Sequence, residues 1–141
     1  MLSATRWRIG RGKASLLLFL AVLVHNAEEA LAYEASRPKA VALVERLMPA
    51  LALPSPAAFQ STLLILVAIS ALVFAWTART RNERAAWVLL RAAAWVLLVN
   101  LLIPHLPAAL AMGGYAPGTV TAVLVNLPLS LWILARKSHP S

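Results

Sequence analysis

Residues 15–33 of the chain read SLLLFLAVLVHNAEEALAY, an apolar segment interrupted by a histidine, an asparagine and two glutamates. A helix of about 20 residues is long enough to cross the ~30 Å hydrocarbon core of a bilayer. Backbone groups in lipid must be hydrogen-bonded within their own segment, so a crossing segment of this kind folds as a helix. The sequence therefore predicts a first membrane span that carries His25, Asn26, Glu28 and Glu29.

Three further apolar segments of similar character follow, at residues 57–77, 85–112 and 117–135. The chain of 141 residues is 61% hydrophobic with a mean hydropathy of +0.76, whereas soluble domains are about 45–50% apolar. The expected fold is all-α: a single integral membrane domain over residues 1–141, built as a polytopic four-helix bundle. The chain contains no cysteine, which excludes a disulfide scaffold, a zinc–thiolate site and a cysteine nucleophile.

The 13 basic residues outnumber the five acidic residues, and they cluster between the apolar segments. Nine basic residues fall on one predicted side of the membrane, namely Arg6, Arg8, Arg11, Lys13, Arg79, Arg81, Arg84, Arg136 and Lys137. Three fall on the other side, namely Arg37, Lys39 and Arg46. Since cytoplasmic loops are enriched in Lys and Arg, both termini are expected to be cytoplasmic. Basic clusters at membrane boundaries indicate contact with the lipid bilayer and no nucleic-acid partner.

Residues 36–54, between the first two spans, contain prolines and charged residues and are not expected to cross the membrane. One helical stripe in this stretch is apolar and comprises Val41, Val44, Met48 and Leu51, whereas basic side chains point away from it. The pattern predicts a short amphipathic helix. It would lie on the outer membrane interface or pack as a surface helix that caps the bundle.

The N-terminal region also has the layout of a secretory signal peptide. It has a basic leader, an apolar stretch at residues 15–24 and small residues at Ala30 and Ala32. Between them lie a histidine and two glutamates, an unusually acidic composition for a segment that is discarded. A retained first span is therefore the preferred interpretation.

The ionisable residues of the first span share one side of its helix. His25, Glu28 and Glu29 are spaced i, i+3 and i+4, which places them at about 0°, −60° and +40° around the helix axis. Ionisable groups are costly in lipid and face the bundle interior, where they are paired or neutralised. This arc is therefore expected to point at the other helices.

The third apolar segment holds a second set of polar residues. Asn100 lies beyond its midpoint, and His105 follows between Pro104 and Pro107. A proline has no N–H to donate and interrupts the hydrogen-bond ladder of a helix. Broken helices at membrane depth occur where they line protein or a cavity, so this part of the segment is expected to face the first span.

The predicted directions of the spans bring these residues to one depth. Spans one and three run outward and span four runs inward, so their polar residues converge between mid-membrane and the outer face. These residues are His25, Glu28, Glu29, Asn100, Thr119, Thr121 and Asn126, with His105 and Tyr115 at the outer rim.

The first span and the second half of the chain are together similar to a known family. The run His25-Asn26-Ala27-Glu28-Glu29 within an apolar helix resembles the signature of the HXXEE-motif family of small bacterial integral membrane proteins. The likeness continues in order and spacing through Asn100, His105, Tyr115-Ala116-Pro117-Gly118, Thr121 and Pro128, whereas residues 34–84 carry no matching motif. The resemblance implies a multi-pass protein of the bacterial cytoplasmic membrane and a set of polar residues, but no reaction.

Two imidazoles and two carboxylates from different helices are a ligand set that zinc, iron or manganese accepts without sulfur. In a first hypothesis a divalent metal is bound by His25, His105 and one of Glu28 or Glu29, while the other carboxylate acts as general base. Asn100 would orient a ligand or stabilise an oxyanion. The catalytic set of Glu28, Glu29, His25 and Asn100 could also act without metal, as acid and base. The expected substrate is a hydrophobic small molecule, such as an isoprenoid or another lipid.

A second hypothesis is a non-catalytic membrane protein. The polar cluster would then be a hydrogen-bonded network that sets helix register, or a site that binds or passes a small ligand or proton. The chain has no internal repeat of the kind that transporters use. His139, near the C-terminus, is expected to be solvated.

Overall fold

The computed structural model describes residues 10–136, and every regular element in that range is helical. Four helices follow one another: α1 (Arg11–Leu47), α2 (Pro56–Arg79), α3 (Glu83–Ala111) and α4 (Thr119–Leu134). The predicted all-α bundle is therefore confirmed. Of the residues singled out from the sequence, Arg6, Arg8, Lys137 and His139 lie outside the described range.

The first three helices are long and apolar enough to cross a membrane, by length and composition. α4 corresponds to the fourth predicted span, residues 117–135, but it is a shorter apolar helix. A helix running from residue 119 to residue 134 is about 24 Å long at 1.5 Å per residue, which is less than the ~30 Å hydrocarbon core.

The separate amphipathic helix predicted within residues 36–54 is corrected by the structure. α1 is one helix of 37 residues that continues through Pro38 to Leu47. The Tyr33 hydroxyl donates to the Pro54 carbonyl at 2.8 Å, and the Tyr33 ring stacks on Phe59 with centroids 3.9 Å apart. These contacts hold α1 against the start of α2, so the proline removes one hydrogen bond without ending the helix.

The helices form two antiparallel pairs that pack on each other. α1 packs along α2, α3 packs along α4, and α1 also contacts α3 and α4. We call the end at which α1 begins and α4 ends the terminal end, and the end at which residues 112–118 join α3 to α4 the turn end. Ser55 and Asn82 cap α2 and α3 by accepting from Ala58 N at 3.2 Å and Ala85 N at 3.0 Å, which is the usual role of these residue types at a helix start.

α3 and α4 each contain one wide, π-helical turn. In α3 this turn spans Leu101–His105 and is closed by the bond from Leu106 N to Leu101 O. In α4 it spans Ala122–Asn126 and is closed by the bond from Leu127 N to Ala122 O. Pro104 lies in the first turn, and Pro107 and Pro128 each follow two residues after a turn, so these prolines remove donors from the regular ladder. π-turns are rare and recur at functional sites, and the two turns here lie in the helices that face the HNAEE stretch of α1.

The apolar core lies towards the terminal end. It is formed by Ala14, Leu18, Phe74, Leu90, Ala94, Leu97 and Ile133. Beside it the hydroxyls of Ser15 and Thr77 pair at 2.9 Å. Many large apolar side chains on the outer faces are exposed, as expected for a surface that contacts lipid rather than water.

Truncation of a core leucine tests this packing. Leu18 is 0% exposed, whereas Leu16, half a turn away on the same helix, is 56% exposed. We expect Leu18→Ala to lower the free energy of unfolding in detergent by roughly 2–3 kcal/mol, because a buried cavity forms. The matched variant Leu16→Ala should change it little. Equal losses in both variants, measured by reversible SDS unfolding, would contradict the orientation of α1.

Candidate metal centre

Three helices converge on one buried polar cluster near the turn end. α1 supplies His25 and Glu29 one helical turn apart, α3 supplies Asn100 and His105, and α4 supplies Thr121. The imidazoles are 3% and 4% exposed and meet edge to face, with centroids 4.7 Å apart. The arc predicted from the i, i+3, i+4 spacing therefore faces the bundle interior.

Three potential ligand atoms of this cluster form a small triangle. His25 Nε2 lies 3.1 Å from His105 Nε2, and Glu29 Oε1 lies 3.3 Å from His105 Nε2 and 3.7 Å from His25 Nε2. His25, Glu29 and His105 form a group of side chains whose geometry could hold a metal ion. We refer to these three residues as the triad.

Asn100 closes one side of the triad. Its Nδ2 lies 3.0 Å from His25 Nε2 and 2.9 Å from His105 Nε2. An amide nitrogen only donates hydrogen bonds, so both imidazole nitrogens accept from it. Both Nε2 atoms therefore carry a lone pair rather than a proton, and in this arrangement the lone pairs are directed at the Asn100 amide.

The π-turn explains why Asn100 and His105 meet although they are five residues apart. Five residues of a regular α-helix turn the chain by about 500°, which would leave the two side chains about 140° apart. An i to i+5 turn is wider and brings residues five apart nearly into line. The prolines at 104 and 107 favour this turn, since neither can donate to the regular ladder.

The proton position of His25 follows from its neighbour Thr121. The Thr121 hydroxyl lies 2.6 Å from Glu28 Oε2 and 3.3 Å from the Gly118 carbonyl, and both of these oxygens accept. Because a hydroxyl has a single proton, Thr121 accepts from His25 Nδ1, which is 3.0 Å away. His25 thus carries its proton on Nδ1, and its Nε2 is unprotonated. The backbone of Pro117 is similarly a hydrogen-bond partner of His105.

Glu28 lies outside the triad and has a different set of partners. It accepts from the backbone N–H groups of Val120 and Thr121 at 3.2 and 2.7 Å, and from the Tyr115 hydroxyl at 3.1 Å. The first turn of α4 has no side-chain cap of its own, so a carboxylate from α1 satisfies its free N–H groups. Burial and the neighbouring Glu28 raise the pKa of Tyr115, which keeps this hydroxyl a donor.

Gly118 packs directly over the triad. Its backbone has φ +82°, and a Cβ placed on it would lie 2.6 Å from His105 Cε1 and 2.8 Å from both His25 Cε1 and Glu29 Cγ. A side chain at this position would displace the imidazoles. From the sequence, Gly118 was selected only as part of the family likeness. The signal for a closer role is a glycine directly before the Thr-Val-Thr sequence that begins α4.

The structure thus divides the residues selected from the sequence. Of the four proposed metal ligands, the structure brings His25, Glu29 and His105 together. The fourth, Glu28 of α1, accepts hydrogen bonds from the first turn of α4 instead. Of the proposed catalytic residues, Asn100 contacts both imidazoles. Tyr115 lies at the rim and is 41% exposed, whereas Asn126 is fully buried further along α4.

These features define an all-helical bundle of the membrane-spanning type with a buried His/Glu cluster between its helices. The chain belongs to the family of proteins of unknown function with an HXXEE motif, whose sequence profile matches residues 16–133. No curated protein and no solved structure matches the chain. The motif residues His25 and Glu29 belong to the triad, and Glu28 links α1 to α4.

Two glycines allow the contact over the triad to be tested apart from backbone strain. Gly113 and Gly118 have similar φ values, +87° and +82°, but only a Cβ at Gly118 meets other atoms within 4 Å. We expect Gly113→Ala to lower the free energy of unfolding by about 1–2 kcal/mol. Gly118→Ala should lower it by about 1–3 kcal/mol more, because the new methyl group overpacks the site. Equal destabilisation of the two variants would show that Gly118 does not pack on the triad.

Proposed function

We propose that the chain is a membrane protein that binds a divalent transition metal ion, zinc, iron or manganese, through His25, Glu29 and His105. The observation that carries this proposal is the triangle of potential ligand atoms with edges of 3.1, 3.3 and 3.7 Å. A tetrahedral zinc ion with Zn–N bonds of about 2.0–2.1 Å requires ligand–ligand edges of about 3.3–3.4 Å. The distances between the three triad atoms are therefore close to those between the ligands of a tetrahedral zinc ion.

The chemistry of the donors supports a catalytic rather than a purely structural ion. Two histidines and one glutamate are a set found in zinc hydrolases, where the fourth position is left to water or substrate. A metal ion in such a site acts as a Lewis acid and lowers the pKa of bound water. In this chain Thr121 orients the His25 ring through Nδ1, as neighbouring groups around metal ligands usually do. Asn100 is within reach of the same centre and could orient a polar group of a substrate.

A lipid-like or isoprenoid substrate is the class that the surroundings favour. Asn100 also lines a shallow groove of about 370 Å³ on the outer side of α3, together with Trp95, Val99 and Ile103. The apolar side chains of this groove are 47–68% exposed on a helix apolar enough to cross a membrane. The polar group of a hydrophobic molecule bound in this groove would thus contact Asn100 beside the triad.

A second candidate function is metal-free proton transfer. A continuous hydrogen-bonded chain leads from His25 through Thr121 and Glu28 to the Tyr115 hydroxyl. Such a chain can move protons between the buried imidazoles and the rim. Metal analysis separates the two candidates.

The metal proposal predicts about one equivalent of metal per chain in protein purified without metal-affinity chromatography, as measured by elemental analysis. His25→Ala and Glu29→Gln should each lose the metal, because each removes a direct ligand. Glu28→Gln should keep the stoichiometry and bind about 10–100-fold more weakly, since it supports His25 only through Thr121.

Exposed Glu34 on the same helix provides the control, and Glu34→Gln should bind metal like the wild type. Absence of metal from wild-type protein, also after addition of zinc, iron and manganese, would contradict the metal proposal. Folded, metal-free protein with altered proton or lipid chemistry in Glu28→Gln would favour the second candidate. Loss of folded protein in Glu28→Gln and Glu29→Gln alike would favour a structural network.

We further propose that the protein lies in the bacterial cytoplasmic membrane with both termini inside, which places the triad in the outer half. The support is the distribution of the basic residues, nine on one side against three on the other.

The absence of cysteine allows this orientation to be tested with single introduced thiols. Thr80→Cys lies between α2 and α3, and Ala52→Cys lies between α1 and α2. A membrane-impermeant maleimide added to intact cells should label Ala52→Cys and leave Thr80→Cys unlabelled until the cells are opened. The reverse pattern would invert the orientation.

A further inference from the structure

The Asn100 amide occupies a place in the candidate metal centre that the three triad ligands do not account for. Its Nδ2 lies 3.0 Å from His25 Nε2 and 2.9 Å from His105 Nε2, and these two imidazole nitrogens lie 3.1 Å apart. One NH2 group carries two hydrogens, so it can donate to both nitrogens at once. In this arrangement Asn100 therefore satisfies both imidazole lone pairs.

A cation bound by the two imidazoles changes what Asn100 has to provide. The ion takes both lone pairs, and an amide N–H group aimed at them would then point its positive end at a positive charge. An amide nitrogen only donates hydrogen bonds, whereas the amide oxygen has two lone pairs of its own. Metal binding therefore requires the NH2 group of Asn100 to turn away from the imidazoles.

The end of the Asn100 amide is close enough to the imidazoles to be replaced there by a ligand atom. Its nitrogen is 2.9–3.0 Å from the two Nε2 atoms, while Glu29 Oε1 is 3.3 and 3.7 Å from the same atoms. Ligands of a tetrahedral zinc ion are about 3.3–3.4 Å apart. A half-turn about the Cβ–Cγ bond exchanges Nδ2 and Oδ1, which differ little in size. The amide oxygen can thus reach a ligand position without repacking of α3.

Asn100 also separates the triad from the apolar groove on the outer side of α3. It lines this groove together with Val99 and Ile103. Asn100 is half-buried, whereas the imidazoles of His25 and His105 are 3% and 4% exposed. A molecule in the groove therefore meets Asn100 before it meets the imidazoles. Because an amide is uncharged, it attracts a cation less strongly than the Glu29 carboxylate does, and it is the ligand most easily replaced.

We propose that Asn100 turns its amide over when the metal binds and supplies Oδ1 as a fourth, exchangeable ligand of the ion. An oxygen atom of a lipid-like molecule in the groove then takes the place of this amide oxygen on the ion. The role rests on the proposed function, because it needs an ion bound by His25, Glu29 and His105. It makes Asn100 the residue that controls access from the groove to the ion.

Zinc titration of the purified full chain in detergent tests whether Asn100 is a ligand. Asn100→Leu should weaken zinc binding about tenfold or more, because a ligand is lost. Asn126→Leu makes the same change at an asparagine that is also buried in the bundle, and it should bind zinc like the wild type. If Asn100 only donated to the imidazoles, its removal would free their lone pairs for the ion. Equal or tighter zinc binding by Asn100→Leu would therefore overturn the proposal.

Infrared spectroscopy of the wild-type chain gives a second test that does not depend on the folding of a leucine variant. Carbon-13 in the asparagine side-chain carbonyls labels four groups, namely Asn26, Asn82, Asn100 and Asn126. Coordination to a cation weakens a C=O bond, so zinc should lower the stretching frequency of one labelled carbonyl. Asn100→Asp keeps the side-chain shape, removes that label and should abolish the change.

The two tests separate this role from the proposed function. Unchanged carbonyl bands in zinc-loaded wild-type protein would overturn the role of Asn100 alone, and the three triad ligands would stand. Wild-type protein that binds none of zinc, iron and manganese would overturn the proposed function and this role together.

Discussion

The constraint on which the structure depends is that polar groups inside a membrane bundle find their partners within the protein. The HNAEE stretch places a histidine, an asparagine and two carboxylates on α1 at a depth where lipid offers none. Each makes a polar contact with another helix. Asn26 contacts a carbonyl of α2, His25 and Glu29 contact α3, and Glu28 contacts α4. The arrangement of the other three helices around α1 follows from these pairings as much as from apolar packing.

The two adjacent glutamates of the motif have separate tasks. Glu29 turns towards the imidazoles, while Glu28 accepts the free N–H groups of the first turn of α4. The second contact draws Gly118 over the triad and brings Thr121 to His25 Nδ1. One carboxylate thus contributes charge to the centre, and the other positions the helix that covers it. This division explains why a pair of acids, rather than one, follows the histidine.

Much of the fold was predictable because bilayer thickness restricts helix length and because the cost of buried charge restricts helix orientation. Three of the predicted spans correspond to helices long enough to cross, and the inward arc of His25, Glu28 and Glu29 faces the bundle. The continuous end of α1 was not predictable, since it depends on Tyr33 reaching Pro54 and Phe59 across the hairpin. α4 (Thr119–Leu134) lies within the predicted fourth segment, residues 117–135, and is shorter than the other three helices.

The sequence by itself determined the helical class, the polar side of the first span and the residue types available for chemistry, since these depend on local composition and on the period of the helix. Tertiary structure alone decided which residues meet. Asn100 and His105 are five residues apart and come together only because a proline-rich segment adopts a π-turn. Glu28 and Glu29 are chemically identical neighbours, and their roles differ only because α4 begins beside one and α3 passes beside the other.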